Sequence, residues 1–223
     1  KNTRFIPSKE ERKYTRQKGK YQDTLDLEDG PLKFLERPGH IITISNAENI
    51  IIQDIHFLDA PKWTIRIGGS DNVKISEITI NNNLLIPNSD GIHITSSSNV
   101  NVSNSNVIAG DDALIVTGFI SGLEEYTYGN NSKEAKNIIF SNCFVTSKSS
   151  GIRVGYGEKP IRNVLFNNII INDSNRGIGL FSRDNSNISD VTFTNIIMET
   201  RLHSDGWWGK SEPIHISAIP SSK

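Results

Sequence analysis

A short pattern headed by Asn, and once by Asp, recurs six times along the chain, and this repeat restricts the fold severely. The repeats begin at Asn49, Asn72, Asn99, Asn137, Asn163 and Asp190. Successive copies start 23, 27, 38, 26 and 27 residues apart, and each opens a short run in which apolar and polar residues alternate. Alternation has the two-residue period of a strand, and a repeat of this length built from short strands is typical of a solenoid. In a solenoid, residues distant in sequence become neighbours one strand spacing apart, about 4.8 Å.

A second series of short strands is predicted between these repeats. The central residues of these strands are Arg66, His93, Ile115, Arg153, Gly179 and His215. The apolar residues that precede the first five of them are Ile65, Ile92, Leu114, Ile152 and Ile178. We expect the apolar residues to stack in one buried column and the central residues to form an outward column on one face. Strands that return in the same direction every turn form parallel sheets, so the pattern predicts an all-β, single-domain parallel β-helix.

The Asn or Asp that opens each repeat is interpreted as structural. Asn and Asp tolerate a left-handed backbone at a bend, and their side chains can stack as a ladder, which we favour over a ligand role. Residues 1–40 lack the repeat, and we predict an irregular segment or cap there and a β-helix domain over residues 41–223. Solenoid ends need capping. Neither end looks well capped, which leaves open a partial β-helix that lacks N-terminal rungs.

Composition excludes several classes of protein. The net charge of -1 gives no reason to expect a nucleic-acid partner. No stretch is long and apolar enough to predict membrane insertion. The single cysteine, Cys143, falls within a repeat, where it is interpreted as a small buried hydrophobic residue, and one cysteine cannot form an intrachain disulfide.

Acidic residues cluster at one corner of the predicted coil. Asp90 lies two residues before Ile92 and Asp112 lies two before Leu114, so both should occupy the same corner on adjacent rungs, with Asp111 beside them. Carboxylates this close raise one another's pKa, so one can stay protonated as a general acid while another acts as a base. Glycoside hydrolysis needs that arrangement. Two alternatives stay open, namely turn residues that merely end strands and a calcium site.

Two of these segments resemble motifs of a known family. Residues 88–92 (Asn-Ser-Asp-Gly-Ile) and 110–112 (Gly-Asp-Asp) resemble the Asn-Thr-Asp and Asp-Asp motifs of the polygalacturonases, glycoside hydrolase family 28, and residues 37–65 are similar to that family's approach to the site. The resemblance implies a right-handed parallel β-helix that hydrolyses pectic polysaccharides with inversion. It implies that Asp111 is the general acid and that Asp90 and Asp112 hold and activate the water. It further implies a polysaccharide or oligosaccharide substrate, no cofactor or metal, and a secreted, periplasmic or cell-surface location.

The chain also departs from that family's pattern. The family's Gly-His-Gly motif aligns with residues 149–151 (Ser-Ser-Gly) and its Arg-Ile-Lys motif with residues 179–181 (Gly-Leu-Phe). The substrate is therefore expected to be a different sugar, neutral or in a branched pectin such as rhamnogalacturonan, or other residues replace the lost contacts. The candidates for substrate binding on or next to the same face are His93, Arg153, Arg66 and Arg183.

Further along the chain, Trp207 and Trp208 form a pair that suits stacking on a pyranose ring or capping the end of the coil. The alternative functions are a noncatalytic carbohydrate-binding β-helix, which the lost motifs favour, and a polysaccharide lyase. The lyase ranks lower because no Arg or Lys base aligns with the acids.

Overall fold

The computed structural model describes residues 31, 37–119, 133–184, 186–203 and 207–219. Within these ranges the chain forms thirteen strands and no helix. The strands are β1 (Ile42–Ser45), β2 (Glu48–Leu58), β3 (Ile65–Gly68), β4 (Asp71–Asn81), β5 (Ile92–Thr95), β6 (Ser98–Ala109), β7 (Leu114–Gly118), β8 (Ala135–Ser147), β9 (Ser150–Gly157), β10 (Ile161–Ser174), β11 (Arg176–Ser182), β12 (Ile188–Thr200) and β13 (Ile214–Ala218). Most of the predicted N-terminal segment, residues 1–40, lies outside the described residues. None of the described residues belongs to a helix that could cross a bilayer.

The chain alternates between two parallel sheets. The odd-numbered strands form a seven-stranded sheet in the order β1-β3-β5-β7-β9-β11-β13, and the even-numbered strands form a six-stranded sheet in the order β12-β10-β8-β6-β4-β2. Each strand therefore pairs with strands one full turn before and after it, and every pairing is parallel. This topology confirms the predicted parallel β-helix.

Inward residues stack in register between the sheets. Ile65, Ile92, Leu114, Ile152 and Ile178 pair in that order and are at most 4 % exposed. On the other sheet Phe140, Phe166 and Phe193 stack with ring centroids 4.9 and 5.2 Å apart. Burying one such side chain contributes roughly 1.5–3 kcal/mol, so these columns are a main source of stability. Cys143 is buried in the same core, and burial raises the pKa of its thiol to about 11.

The six repeat-opening residues adopt the left-handed backbone that the sequence predicts. Their φ values lie between 53° and 60°. Their side chains also form part of a ladder. Asn72 donates to Asn49, Asn137 to Asn99 and Asn163 to Asn137 over 2.6–2.9 Å. A second left-handed series, five residues later in each repeat, bends the even-numbered strands at Asp54, Glu77, Asn104, Asn142, Asn168 and Asn195. The alternating sequence pattern does not reveal this second bend within each strand.

The predicted outward column is in register, but three of its side chains are buried. Arg66, His93, Ile115 and Arg153 pair in sequence across the odd-numbered sheet. His93 and Ile115 are 0 % exposed and Arg66 is 2 % exposed. His93 is therefore a buried residue and not a solvated one. Trp63 packs over His93 with ring centroids 4.0 Å apart. Side chains on this face thus form a second buried layer beside the coil.

Candidate functional site

The candidate site lies along one corner of the coil, where the odd-numbered strands begin. The residues two positions before each inward apolar residue stack there, and we call them the corner row. The corner row comprises Trp63, Asp90, Asp112, Ser150, Arg176 and Glu212. Backbone hydrogen bonds hold adjacent members one rung apart. The amide of Gly91 donates to the Asp112 carbonyl over 2.9 Å, and that of Ala113 to the Ser150 carbonyl over 2.9 Å. The predicted placement of Asp90 and Asp112 on adjacent rungs is thus confirmed.

Asp111 lies beside the corner row and is 6 % exposed. Its Oδ1 accepts the backbone N–H of Asp112 over 2.9 Å, and its Oδ2 accepts the backbone and side-chain N–H groups of Asn88, each over 3.2 Å. Burial, and next the charge of Asp112, raise the pKa of Asp111 to about 7 despite these donors. A carboxyl group with that pKa can still carry a proton near neutral pH, as a general acid must.

Asp112 meets donors at both oxygens. Oδ1 accepts the backbone N–H of Ser150 over 2.9 Å, and Oδ2 lies 3.1 Å from Nε of Arg153. The second contact is an ion pair without hydrogen-bond geometry. The two side chains are only 5 % and 12 % exposed, so the pair is weakly screened by solvent.

Asp90 is held differently from the other two acids. Its Oδ1 is buried and has no hydrogen-bond partner among the described residues, and its Oδ2 lies 3.6 Å from Nδ1 of His93. Burial, followed by the charges of Asp111 and Asp112, raises the pKa of Asp90 well above its usual range. These surroundings therefore favour the protonated form of Asp90.

His93 and Arg66 lie behind the acids. Nε2 of His93 is 3.0 Å from Oγ1 of Thr117, and burial, with the charge of Arg153 next, lowers the pKa of His93 well below its usual range. Nδ1 of His93 faces Asp90 but makes no hydrogen bond with any described residue. Nη1 of Arg66 lies 3.5 Å from Nε2 of His40, and the guanidinium carbon of Arg66 lies 5.2 Å from the centre of the Trp63 ring. Neither His93 nor Arg66 belongs to the described lining of the two cavities that adjoin the acids.

Two cavities meet at the carboxylates. Cavity A, of about 290 Å³, and cavity B, of about 230 Å³, share Asn88, Asp111, Asp112, Arg153 and Tyr156. Cavity A is completed by Trp63, Asp90, Phe119, Arg183 and Asp184. Cavity B is completed by Ser149, Ser150, Arg176, Phe181 and Trp208. The acids thus lie at the junction of the two cavities.

Three arginines and two aromatic rings alternate along the wall of these cavities. The guanidinium carbons of Arg153 and Arg183 each lie 4.8 Å from the Tyr156 ring centre. Those of Arg183 and Arg176 lie 5.7 and 5.2 Å from the Phe181 ring centre. Cation–π contacts at this distance hold guanidinium groups in fixed places. Arg153 and Arg183 therefore reach the cavities, as a substrate-binding role would require, but that role stays a prediction.

The two tryptophans separate into different environments. Trp207 is 1 % exposed, whereas Trp208 is half-buried and lines cavity B. Their rings lie 6.4 Å apart in an edge-on arrangement. This placement favours packing for Trp207 and sugar stacking for Trp208, and both roles remain predictions.

Four residues that line the cavities are not among the sequence predictions, namely Phe119, Tyr156, Arg176 and Asp184. Arg176 lies two positions before Ile178, so the spacing rule that identifies Asp90 and Asp112 would also have found Arg176. Tyr156 lies between Gly155 and Gly157, a signal for a bulge in a strand. Among the described residues, no group of three or more His, Cys, Asp or Glu side chains is arranged to hold a metal ion. The calcium alternative therefore gains no support from them.

The sequence of the chain is similar to one family model and to several known proteins. Residues 32–202 match the sequence model described as glycosyl hydrolases family 28. A polygalacturonase of Nicotiana tabacum is 25% identical over 128 residues, which cover 51% of this chain and 32% of that protein. A protein of Aspergillus fumigatus named "Probable endopolygalacturonase" is 30% identical over 132 residues, which cover 52% of this chain and 34% of that protein.

The fold also matches a solved structure, the exopolygalacturonase of Thermotoga maritima. The TM-score is 0.57 at 18% sequence identity, over 81% of this chain and 41% of the other. At this identity the match supports the fold alone. The matched region spans about a third of the length of each of the two curated relatives.

Proposed function

This chain belongs to family 28 of the glycosyl hydrolases, and from that premise we propose that it hydrolyses glycosidic bonds in a pectin-related plant polysaccharide. The observation that carries the proposal is the position of Asp90, Asp111 and Asp112, three buried carboxyl groups at the junction of two cavities. Hydrolysis needs a proton for the leaving oxygen and a base for the water, and it needs a sugar on each side of the broken bond.

The proposed mechanism proceeds with inversion. Asp111, whose raised pKa of about 7 keeps it partly protonated near neutral pH, donates its proton to the glycosidic oxygen as the bond breaks. Asp112 removes a proton from the water that attacks the anomeric carbon from the opposite face. Asp90 holds that water from the adjacent rung, and Nδ1 of His93 lies 3.6 Å from its Oδ2.

The proposed sugar follows from the cations that line the cavities. The motifs that the family uses to contact a galacturonate are replaced by residues 149–151 and 179–181. Arg153 and Arg183 adjoin cavity A and Arg176 adjoins cavity B, where each could donate to a sugar oxygen or carboxylate. Nη2 of Arg176 lies 3.5 Å from Oε1 of Glu212, and this carboxylate offsets part of the positive charge of Arg176. We therefore favour a branched pectin, such as rhamnogalacturonan, in which charged and neutral sugars occur together. A substrate of this kind places the protein outside the cytoplasm, secreted, periplasmic or at the cell surface.

The first test compares product release by the wild type and by Asp111→Asn and Asp112→Asn. Homogalacturonan, rhamnogalacturonan and neutral pectic side chains serve as substrates, and chromatography separates the products. Each substitution should reduce hydrolysis by roughly 10²–10⁴-fold, because it removes general acid or base catalysis. Asp190→Asn is the matched control. Asp190 is exposed and occupies a repeat position where the other five repeats carry Asn, so its activity should equal that of the wild type.

Full activity of Asp111→Asn would contradict the proposal. Tight glycan binding with no product from the folded wild type would favour the noncatalytic binding function, which the lost family motifs already make the second candidate. Products that absorb in the ultraviolet because they carry a new double bond would instead identify a lyase.

A further inference from the structure

Among the described residues, Arg153 is an arginine that pairs with one of the three carboxyl groups, Asp112. Its Nε lies 3.1 Å from Oδ2 of Asp112, and its charge also opposes the rise in the pKa of Asp90 and Asp111. Its side chain is 12% exposed, so the charge acts through a weakly screening medium. Arg153 therefore influences how protons and negative charge are distributed among the three acids.

The three acids differ in the donors and charges that surround them. Its two oxygens face the backbone N–H of Ser150 and the guanidinium of Arg153. Asp90 has one oxygen with no partner among the described residues, so a negative charge there would be poorly stabilised. Asp111 accepts only neutral N–H groups, from Asn88 and Asp112.

A distortion of the backbone in β9 brings the Tyr156 ring against Arg153. In a regular strand, residues three apart point to opposite faces, so Arg153 and Tyr156 should not meet. Tyr156 instead adopts φ 67°, and the register of β9 against β7 shifts between Val116 and Gly118. The Tyr156 ring then lies 4.8 Å from the guanidinium carbon of Arg153. A left-handed conformation at a bulky residue persists only where its surroundings enforce it, and it is concentrated at functional sites.

We propose that Arg153 is a positioning residue that holds the Asp112 carboxylate and its negative charge, so that Asp112 acts as the base. This role rests on the hydrolase function proposed above and deepens it. It differs from the substrate contact that the sequence predicts for Arg153, because Arg153 is already paired with an acid of the site and stacked on Tyr156. The family motifs that align nearby do not provide this cation, since Arg153 lies two residues beyond the Ser-Ser-Gly segment.

Several other charged and titratable groups face this ion pair, and a test must take them into account. They are Asp90 before β5, His93 on β5, Asp111 before β7, Tyr156 on β9, and Arg176 and Arg183 on and after β11. Arg183 contacts the Tyr156 ring and Arg176 contacts the Phe181 ring, so each would have to leave its ring to replace the contact of Arg153 with Asp112.

The kinetic test compares Arg153→Gln and Arg153→Lys on the substrate found above, with Arg162→Gln as the matched control. Loss of the cation should reduce kcat by about tenfold or more and move both limbs of the pH profile to higher pH by about one unit, because a nearby positive charge lowers the pKa of carboxyl groups. Arg153→Lys should recover part of both effects. Arg162 pairs with Glu134 at 2.8 Å on the other sheet, so Arg162→Gln should match the wild type.

Two kinetic outcomes would overturn the positioning role. A higher KM with unchanged kcat and unchanged pH limbs would show that Arg153 contacts the substrate. Wild-type kinetics in Arg153→Gln would show that the ion pair plays no part in the reaction.

A second measurement does not depend on activity and remains available if a variant is unstable under assay conditions. Urea unfolding midpoints are compared for Asp112→Asn, Arg153→Gln and the double variant. Each single change leaves a buried charge without its partner. The double variant should therefore lose less stability than the two single variants lose when their losses are added. If the stability losses of the single variants simply add in the double variant, Arg153 and Asp112 do not stabilise each other, and the proposed ion pair is refuted. An active wild type with additive losses would refute the positioning role alone, whereas a folded wild type that releases no product would refute the hydrolase function.

Discussion

Asp90, Asp111 and Asp112 have the same side chain but different surroundings. Asp112 contacts a cation, Asp111 accepts three neutral N–H groups, and one oxygen of Asp90 is buried with no partner among the described residues. Environments that differ in this way separate the ionisation of chemically equal groups and allow them to take different roles.

The pKa of Asp111 leads to a prediction for the pH dependence of hydrolysis. A pKa of about 7 means that the acid loses its proton as the pH rises through neutrality. Activity should therefore fall above about pH 7, in proportion to the protonated fraction of Asp111. The measurement is kcat/KM against pH, which reports groups of the free enzyme. If kcat/KM stays constant up to pH 9, Asp111 is not the general acid.

At the scale of the element, the left-handed Asn residues set the corners of each coil. Asn137 illustrates their two contributions. Its backbone has φ 55°, its amide donates to Asn99 over 2.9 Å and its oxygen accepts from Asn163 over 2.7 Å. The ladder is exposed to water, so its hydrogen bonds should contribute less to stability than the backbone preference does.

Replacing Asn137 by Ala and by Gly separates these contributions. Both changes remove the ladder contacts, but only Ala brings a Cβ into the left-handed region, at a cost of about 1–2 kcal/mol. The greater flexibility of glycine in the unfolded chain offsets about 0.4–1 kcal/mol of that difference. Asn137→Ala should therefore be less stable than Asn137→Gly by about 0.5–1 kcal/mol in chemical unfolding. Equal stabilities would indicate that the corner does not depend on left-handed backbone.

At the scale of the whole molecule, the cavities combine the corner row with segments outside the regular coil. Trp208 reaches cavity B from the segment between β12 and β13, while its neighbour Trp207 is buried. Adjacent residues of the same type thus provide a matched pair for separating binding from stability.

Trp208→Ala should weaken substrate binding, while Trp207→Ala should destabilise the fold. Loss of one aromatic contact to a sugar ring should raise KM by roughly 2–10-fold with little change in the unfolding midpoint. Truncation of a buried tryptophan should cost about 3–5 kcal/mol, because it leaves a cavity. The measurements are KM and urea unfolding for both variants. If Trp208→Ala instead destabilised the protein and left KM unchanged, Trp208 would be a packing residue too.

The sequence by itself determined the parallel β-helix, its register and the corner shared by Asp90, Asp112 and, beside them, Asp111. These features follow from local patterns, because a two-residue period decides which way each side chain points and the repeat decides which residues stack. The same rule, applied further along the chain, would have placed Arg176 in the corner row.

Only the tertiary structure decided how deeply these residues are buried and which charges meet. His93 is outward in the pattern but buried beneath Trp63. Arg153 pairs with Asp112, and a bulge in β9 brings the Tyr156 ring against its guanidinium. Burial, pKa and ion pairing depend on side chains from several coils at once. A repeat pattern specifies the direction of each side chain, but it does not specify what covers that side chain.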